Sequence, residues 1–395
     1  MTDGSPSPPD GHLVHGLERE PAAPDWAPIV VEELREALAP LDLAVDDLEV
    51  EWRSPRPMSA AAVVRAGAER VFVKRHDHRV RETERLAREH RLGDHLRARG
   101  VATPRVRRGP GGASVVERDD QRYECFDLAA GEDRYRDVPS WYPYLDPAHA
   151  YRSGAALARF HRAAADFAEP ADPVGVLADG LDVVGADDLD AALTALLARR
   201  PGLARALAPY DLDGDVDRVL RRPVERARDV INGRERQWTH GDWHPSNLTW
   251  DPAGDDVAEV LDLGLANRTD VVHDLAVAIE RAVVDWLDQA GRGAITVDVA
   301  SLDALLAGYD EVAPLGRGDR VALAAVLPVA HLEFALSEVE YFGDVLGAVA
   351  SRDLAYHGYL LGHAEWFAGP AGRALLDRVA SAAWRPTAAR GTMGR

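Results

Sequence analysis

Apolar and polar residues alternate over short runs in the first third of the chain, and this alternation predicts half-buried β-strands. The runs Leu48–Trp52, Ala60–Arg65 and Arg70–Lys74 come first, and the short gap between the last two predicts an antiparallel meander. Helices are predicted on either side, at Val30–Leu38 and at Arg81–Arg99, where Leu recurs at helical spacing. Further strands are predicted near Arg105–Arg107, Ala113–Glu117 and Tyr123–Leu128.

The pattern becomes helical from Pro147 onward, beginning with Ala150–Phe167, whose apolar residues share one face. Strand-like runs return only at Asn247–Trp250 and Ala258–Leu263, which a DPAGDD turn joins into a hairpin. These patterns predict an α+β protein with two lobes: a small antiparallel sheet plus one helix, then a large, mainly helical lobe. We expect a disordered tail over 1–25, a first lobe over 26–123, a second lobe over 124–383 and a flexible tail over 384–395.

Composition and charge narrow the classes of protein that fit. The formal net charge of −20 argues against nucleic acid and anionic membranes as partners, because both would repel the chain. No apolar run approaches the roughly 18 to 20 residues of a membrane-spanning helix. One cysteine, Cys125, suits a reducing cytoplasm and is expected to be a small buried hydrophobe. We therefore expect a cytoplasmic monomer or homodimer.

Lysine occurs only once among the 46 Lys and Arg residues, at Lys74. An ammonium group is a compact point charge on a narrow stem, whereas a guanidinium is a flat fork. A site that places one small cation between phosphate oxygens in a tight cleft would accept lysine and reject arginine. The alternative is a surface lysine that happens to end an apolar run.

The densest group of polar residues is the stretch HGDWHPSN, His240 to Asn247, directly before the predicted hairpin. It contains Asp242 and, five residues later, Asn247, while Asp262 lies on the return strand. Hard oxygen ligands of this kind bind Mg²⁺ together with substrate phosphates. Asp242, in the preceding loop, can accept a proton from an incoming hydroxyl group. Kinases show the same offset of five residues between the catalytic Asp and the metal-binding Asn.

HGDWHPSN resembles the H-G-D-x-H-x-x-N motif of the aminoglycoside phosphotransferase and choline kinase superfamily, small-molecule relatives of the protein kinases. The likeness extends over about residues 45–370 and implies a protein-kinase-like fold. It implies that Asp242 is catalytic, that Asn247 and Asp262 bind Mg²⁺, and that Lys74 contacts the α- and β-phosphates of a nucleotide. It also implies that Glu89 orients that lysine.

The resemblance suggests further contacts to the nucleotide. Glu124 and Phe126 lie where the two lobes join, so their backbone groups are expected to hold the adenine edge. Ser59 lies in the predicted phosphate loop, between the first two strands, where Arg53 or Arg56 can also meet phosphate oxygens. This loop departs from the family pattern because it contains two prolines, which lack backbone N–H donors, and no glycine.

Three other residues are expected to support the catalytic loop. The resemblance implies that His240 shapes the loop and that His244 packs or hydrogen-bonds near Asp242. Asp274 is expected to brace the loop and cap its own helix through backbone N–H groups. A zinc site at His240 and His244 is the alternative, but Gly241 and Pro245 disfavour the regular helix that it needs.

An acidic and aromatic set in the second lobe is the candidate binding surface for the acceptor. Such side chains suit a cationic or polyhydroxylated ligand, and they also suit ordinary helix packing. The set comprises Asp133, Tyr135, Trp141, Glu333, Glu338, Tyr341 and Trp366.

The predicted activity is transfer of the γ-phosphoryl group of ATP, or of GTP, to a hydroxyl group of a small molecule, with Mg²⁺ as the metal. An aminoglycoside-like or other cationic antibiotic, an amino alcohol, an amino acid or a sugar would each fit the resemblance. Net acidity weakly favours an acceptor that bears an amino group. The alternatives are a catalytically weak nucleotide-binding or scaffold protein on the same fold, and a nucleotidyl transferase.

Overall fold

The computed structural model describes residues 23–171, 175–254, 256–288 and 293–381. The tail predicted over 384–395 and all but the last three residues of the tail predicted over 1–25 lie outside this range. The strands are β1 (Leu48–Arg53), β2 (Ala60–Ala66), β3 (Glu69–Asp77), β4 (Val116–Arg118), β5 (Gln121–Asp127), β6 (Gln237–Thr239), β7 (Leu248–Trp250), β8 (Val257–Val260), β9 (Asn267–Thr269), β10 (Val284–Asp285) and β11 (Thr296–Val297).

The α-helices follow the same chain order and concentrate in the second lobe. They are α1 (Val31–Leu38), α2 (Thr83–Ala98), α3 (Pro147–Ala164), α4 (Leu189–Arg199), α5 (Pro201–Leu207), α6 (Leu212–Asp215), α7 (Arg221–Ile231), α8 (Val271–Val283), α9 (Val299–Val312), α10 (Arg317–Val326), α11 (Leu332–Glu340), α12 (Val349–Leu354), α13 (Gly362–Ala368) and α14 (Pro370–Ala380). The predicted α+β arrangement, an antiparallel sheet followed by a helical remainder, is confirmed.

The first lobe contains a five-stranded antiparallel sheet in the order β1-β2-β3-β5-β4. Side chains alternate across β3, so Val71 and Val73 enter a small core with α1, whereas Phe72 and Lys74 line a cavity on the opposite face. Strands β3 and β5 pair so that Lys74 lies directly opposite Glu124. The period-two pattern of this strand therefore aims the single lysine at the cavity.

One predicted strand of this lobe is wrong. Residues 105–107 form an isolated bridge, Val106 to Phe126, instead of a strand. Pro104 and Pro110 flank this segment, and a proline cannot donate a ladder hydrogen bond. Residues 105–107 therefore pair with β5 only around Val106.

The helices of the second lobe pack closely around one central helix. Helix α8 is buried from Val272 to Val283, which makes it the central helix of the lobe. Helices α3 and α9 approach closely at two glycines, since a Cβ at Gly154 would lie 2.0 Å from the Leu305 carbonyl oxygen. A Cβ at Gly308 would likewise lie 1.9 Å from the Tyr151 carbonyl oxygen.

The helical stretch Arg317–Val345, which includes α10 and α11, is long and apolar enough to cross a membrane by length and composition. Its apolar residues do not form one uninterrupted run, so this stretch is not evident from the sequence pattern. Of its most apolar window, 78% is buried inside the protein, as in the core helices of folded domains. Length and composition are therefore weak grounds for regarding it as a membrane span.

Candidate active site

The candidate catalytic loop, residues 240–247, begins where β6 pairs with β9 and is braced by the first turn of α8. The buried Asp274 carboxylate accepts hydrogen bonds from the backbone N–H groups of His240 and Gly241, both at 2.8 Å. His161 approaches the same carboxylate with Nε2 at 2.9 Å. Burial opposes ionisation of Asp274, but the contact with His161 outweighs it and lowers its pKa. Asp274 thus holds the start of the loop, although its own helix is capped by Asp270.

Gly241 adopts a left-handed backbone conformation, with φ of +74°, against the Leu265 carbonyl oxygen. A Cβ there would lie 2.2 Å from that oxygen. We expect Gly241→Ala to lower the free energy of unfolding by roughly 2 to 4 kcal/mol, measured by urea denaturation. Gly233→Ala is the matched control, because Gly233 has φ of +89° but nothing within 4 Å of the added atom. Equal losses in the two variants would show that the contact with Leu265 is unimportant.

His240 joins the catalytic loop to the β7–β8 hairpin. Its Nδ1 accepts a hydrogen bond from the Asp242 backbone N–H at 3.1 Å, and its Nε2 donates to the Leu261 carbonyl oxygen at 2.9 Å. Both ring nitrogens are therefore engaged within the chain, an arrangement that disfavours the zinc alternative. His244 contacts Asp242 through Nε2 at 3.4 Å and Ser246 through Nδ1 at 2.9 Å.

The Asp242 carboxylate is fixed by two side chains. Asn247 Nδ2 donates to the Asp242 backbone oxygen and to Oδ2, both at 3.0 Å, while Arg281 Nη1 pairs with Oδ1. Burial alone would raise the pKa of Asp242, but Arg281, His244 and His240 together outweigh it and hold that pKa well below the usual range. The carboxylate is therefore ionised and held in one orientation at neutral pH.

Sequence reasoning missed Arg281, which is 1% exposed in its side chain. The guanidinium carbon lies 4.4 Å from the ring centroid of Trp141 and 4.8 Å from that of Phe334. One signal was available: Arg281 follows Asp274 by seven residues, and this spacing places both on one face of α8. That face supports the catalytic loop at two points.

Asn247 and Asp262 lie at one end of the β7–β8 hairpin, because the Leu261 N–H donates to the Asn247 carbonyl oxygen at 2.8 Å. Because the amide nitrogen of Asn247, Nδ2, donates to Asp242, the amide oxygen of Asn247 lies on the side of the amide group away from that bond. Asp262 has φ of +54°, an uncommon conformation for a residue other than glycine. Both residues line the cavity between the lobes. The hairpin therefore brings two side chains with oxygen ligands, Asn247 and Asp262, to the same end.

Lys74 reaches this pair of residues from the first lobe. Its Nζ lies 2.9 Å from Asp262 Oδ2. Burial alone would lower the pKa of Lys74, but the carboxylates of Asp262 and Glu124 outweigh it and raise that pKa. The ammonium group is therefore charged at neutral pH, and it enters the cavity that Asp262 lines.

The expected pairing of Lys74 with Glu89 is not found within the described residues. Glu89 instead faces Arg85 of its own helix, with Nε 3.5 Å from Oε1, while Arg85 also donates to the Gly264 carbonyl oxygen at 2.9 Å. The reason is local, since Arg85 precedes Glu89 by one helical turn and therefore lies on the same face. Glu89 still lines the cavity, close enough to influence the charge of Lys74.

The expected roles of Glu124 and Phe126 also change. Backbone groups alternate along β5, so those of Glu124 and Phe126 face β3, while those of Cys125 and Asp127 bond to residues 105 and 107. The Glu124 side chain is held by Nε2 of His76 at 2.9 Å and Nε2 of His90 at 2.8 Å. Strand β5 and its pairing end at Asp127. The next residue, Leu128, lies beyond this pairing and lines the cavity.

The cavity between the lobes has a volume of about 780 Å³ and is lined by residues of both. The glycine-free loop contributes Ser54, Arg56 and Ser59 to it, whereas Arg53 points away and donates to the Ile29 carbonyl oxygen at 3.0 Å. Val106 and Phe126 supply apolar surface to the same cavity. The cavity therefore combines apolar surface with the charged groups of Lys74 and Asp262.

The candidate acceptor residues fall into different environments. Asp133 lines the cavity, and Trp141 stacks on Arg281 with φ of +60°, an outlier for a bulky residue. Tyr135 and Trp366 instead serve packing, since Tyr135 OH lies 2.8 Å from His149 Nδ1 and Trp366 meets the ring of Trp286.

The three candidates on or next to α11 also differ in their contacts. Glu333 Oε1 accepts hydrogen bonds from the backbone N–H groups of Val183 and Val184 at 2.7 and 3.3 Å. Tyr341 OH donates to Asp25 Oδ2 at 2.8 Å. Glu338 is 1% exposed, and neither carboxylate oxygen has a hydrogen-bond partner within the described part of the chain.

Proteins similar in sequence to this chain include homoserine kinases. A homoserine kinase of Methylobacillus flagellatus is 27% identical over 277 residues, which are 69% of this chain and 74% of that protein. A homoserine kinase of Granulibacter bethesdensis is 25% identical over 262 residues, 66% and 72% of the two chains.

Solved structures show the same fold. A microcompartment-associated aminopropanol kinase matches with a TM-score of 0.52 at 18% identity, covering 91% of this chain and all of the other. An amicoumacin kinase in complex with AMP-PNP and Ca²⁺ also gives 0.52, at 11% identity, covering 83% and 93%. The family model described as the phosphotransferase enzyme family matches residues 55–315, which include Lys74, Asp242, Asn247 and Asp262. Because this match spans more than half of the sequence, the chain belongs to the phosphotransferase enzyme family.

Proposed function

We propose that this protein transfers the γ-phosphoryl group of ATP to a hydroxyl group of a small molecule. The observation that carries the proposal is the arrangement around Asp242. Its carboxylate is ionised, oriented by Arg281 and Asn247, and linked through Asn247 to the cavity that Lys74 and Asp262 enter. A carboxylate in this setting can orient an acceptor hydroxyl and receive its proton during transfer.

The donor set fits Mg²⁺. The Asn247 amide oxygen and the Asp262 carboxylate are hard oxygen ligands, and both line the cavity. A Mg²⁺ ion bound there would offset negative charge on the phosphates. Lys74 would add a compact positive charge at the same place and contact phosphate oxygens. Because the transition state for phosphoryl transfer is loose, we expect positioning and electrostatics to supply most of the rate.

We propose ATP as the phosphoryl donor, and GTP is the alternative. The base would lie against the apolar surface near Phe126, and the phosphates would extend toward Ser59 and Lys74. Relatives named homoserine kinase favour a metabolic acceptor, such as an amino acid or amino alcohol, over an antibiotic. We propose that the protein acts in the cytoplasm, where nucleoside triphosphates are abundant.

The test is an acceptor screen read by mass spectrometry. The purified protein is incubated with Mg²⁺, with ATP or GTP, and with L-homoserine, 1-amino-2-propanol, choline, an aminoglycoside or a hexose. We expect at least one acceptor to gain the mass of one phosphate group, with no gain in EDTA. Nucleotide binding without transfer or Mg²⁺-dependent hydrolysis would instead favour a binding protein on the same fold. Gain of a nucleotidyl mass would contradict phosphoryl transfer.

A further inference from the structure

The glycine-free loop between β1 and β2 borders the cavity with few backbone donors. Pro55 and Pro57 have no backbone N–H group. The N–H groups next to them are already used, since Ser54 donates to the Ala61 carbonyl oxygen at 2.8 Å and Arg56 donates to Ser54 Oγ at 3.2 Å. The four residues from Ser54 to Pro57 therefore offer no free backbone N–H group to an anion.

The side chain of Arg56 is an exception among the arginines of the cavity. Four arginines of the described chain line this space, and three of them have side-chain partners: Arg70 with Glu51, Arg97 with Thr103 and Arg136 with Asp133. The partly buried Arg56 guanidinium forms no hydrogen bond or ion pair with any residue that the structure describes. Its N–H donors are therefore available to a ligand in the cavity.

Arg56 lies near the candidate catalytic loop. Burial lowers the pKa of His244, the Asp242 carboxylate opposes this, and Arg56 is close enough to add to the lowering. His244 Nε2 in turn lies 3.4 Å from Asp242 Oδ1. Arg56 also shares the lining of the cavity with Ser246 and Asn247 of the same loop. The guanidinium is therefore close to the place where the acceptor hydroxyl and the transferred group would meet.

The loop that carries Arg56 is anchored on both sides of this residue. On one side Arg53 Nε donates to the Ile29 carbonyl oxygen at 3.0 Å. On the other side the Pro57 carbonyl oxygen accepts from the Asp25 N–H at 3.2 Å. The two prolines also restrict the backbone next to Arg56. A donor on such a loop is positioned before the ligand binds, which favours electrostatic stabilisation of a transition state.

The position of Arg56 selects the phosphate that it can reach. Lys74 is proposed to contact phosphate oxygens beside Asp262, and Asp242 is proposed to orient the acceptor hydroxyl. The phosphate nearest the acceptor during transfer is the terminal one, and its outer oxygens carry charge in the transition state. A guanidinium can bind two such oxygens at once through parallel N–H groups. Arg56, which lies near Asp242, is therefore suited to the terminal phosphate.

We propose that the Arg56 guanidinium binds the terminal phosphate of the nucleotide, in place of the backbone N–H groups that this loop lacks, and stabilises its charge during transfer. This rests on the proposed function. In the transfer step the acceptor oxygen bonds to the γ-phosphorus, while the bond from that phosphorus to the β–γ bridging oxygen breaks. ADP leaves with the electron pair of that bond, and Asp242 takes the hydroxyl proton. Arg56 stays protonated throughout.

The first test measures nucleotide binding without turnover. Calorimetric titrations in Mg²⁺ compare AMP-PNP, which has a third phosphate group, with ADP, which lacks it. We expect Arg56→Ala to weaken binding of AMP-PNP by about tenfold or more and binding of ADP by less than about twofold. The reason is that only AMP-PNP brings a terminal phosphate to this side chain.

Arg70→Ala is the matched control for loss of a guanidinium from the cavity. Arg70 already donates to Glu51 Oε2 at 2.7 Å, and it precedes Lys74 by four residues, or roughly 13 Å, along β3. We expect this variant to change the affinities for AMP-PNP and ADP by the same factor. Thermal unfolding of both variants checks that they fold.

The second test measures turnover with whichever acceptor the screen identifies. Arg56→Ala should lower kcat by about 10²-fold or more, because a donor to the transferred group is lost. Guanidinium chloride at millimolar concentration should restore part of this rate, since a free guanidinium ion can enter the space left by the side chain. A loss of activity through altered folding would not be restored in this way.

The outcomes separate this inference from the proposed function. Equal losses for AMP-PNP and ADP, or unchanged AMP-PNP binding in Arg56→Ala, would show that the phosphate site is wrong. If Arg56→Ala instead weakens L-homoserine but not 3-amino-1-propanol, which lacks the carboxylate, the arginine binds the acceptor and the inference is overturned. Normal transfer by Arg56→Ala would retain the kinase and overturn the site. Selective loss of AMP-PNP affinity, in a protein that phosphorylates no acceptor, would retain the site and overturn the kinase.

Discussion

Asp242→Asn should lower kcat for phosphoryl transfer by about 10³-fold while changing the Kd for ATP less than about threefold. The carboxylate is the group that would orient the acceptor hydroxyl and take its proton, whereas an amide oxygen can accept a hydrogen bond from the hydroxyl but cannot take the proton at neutral pH. The variant keeps the side-chain shape, and Asn247 still has the Asp242 backbone oxygen as a partner. The effect should therefore fall on the chemical step.

The measurement combines single-turnover kinetics with titration of a fluorescent ATP analogue. Asp251→Asn is the matched control, because it removes one negative charge from the exposed turn after β7, where Asp251 accepts from the Ala253 N–H at 2.8 Å. We expect the control to retain full activity. Parallel losses of nucleotide affinity and kcat in Asp242→Asn would contradict a role limited to the acceptor side.

Lys74→Met should lower kcat/KM for ATP by about 10²- to 10³-fold, and Lys74→Arg should recover little of this loss. Methionine has a similar length but no charge, so it removes the cation expected at the phosphates. Arginine restores the charge on a wider group that must fit beside Asp262, where the Lys74 side chain is only 16% exposed. The lysine is therefore expected to be required for its size as well as its charge.

Stability should hardly change in the same variants. The Lys74–Asp262 pair gains little net energy, because Asp262 is 42% exposed in its side chain and the lysine loses solvation. We expect Lys74→Met to change the free energy of unfolding, measured by thermal unfolding, by no more than about 1 kcal/mol. Arg65→Met, which removes a surface partner of Glu49 on the neighbouring strand, is the control for loss of a cation. For activity, a near-normal kcat/KM of Lys74→Arg would contradict the expectation that this side chain is required for its size as well as its charge.

Local patterns carried much of the prediction. Alternation through Arg70–Lys74 predicted a strand, and the strand found there, β3, turns Lys74 toward the cavity. The hairpin predicted from Asn247–Trp250 and Ala258–Leu263 is found as β7 and β8. These features depend on side-chain periodicity and turn chemistry over a few residues, which a sequence displays directly.

Pairings between distant side chains were less predictable. Glu89 meets Arg85 instead of Lys74, and Lys74 meets Asp262, because several opposite charges compete for each group once the lobes are folded. Sequence spacing does not show which of the opposite charges forms each pair, because the distances between these charges depend on how helix α2 packs against the sheet. The expected backbone role of Glu124 and Phe126 fails for a related reason: β3 pairs with that edge of β5, while residues 105–107 cover the opposite edge at Cys125 and Asp127.

The sequence by itself determined the α+β fold, with an antiparallel sheet followed by helices, and it singled out the residues proposed to bind metal and phosphate. Only the tertiary structure decided that Arg281 orients Asp242, and that both carboxylate oxygens of Glu338 are buried without a hydrogen-bond partner among the described residues. Strand alternation and turns arise from neighbours in the chain. The partners of a buried charge come from remote segments, and their packing decides which of them reaches it.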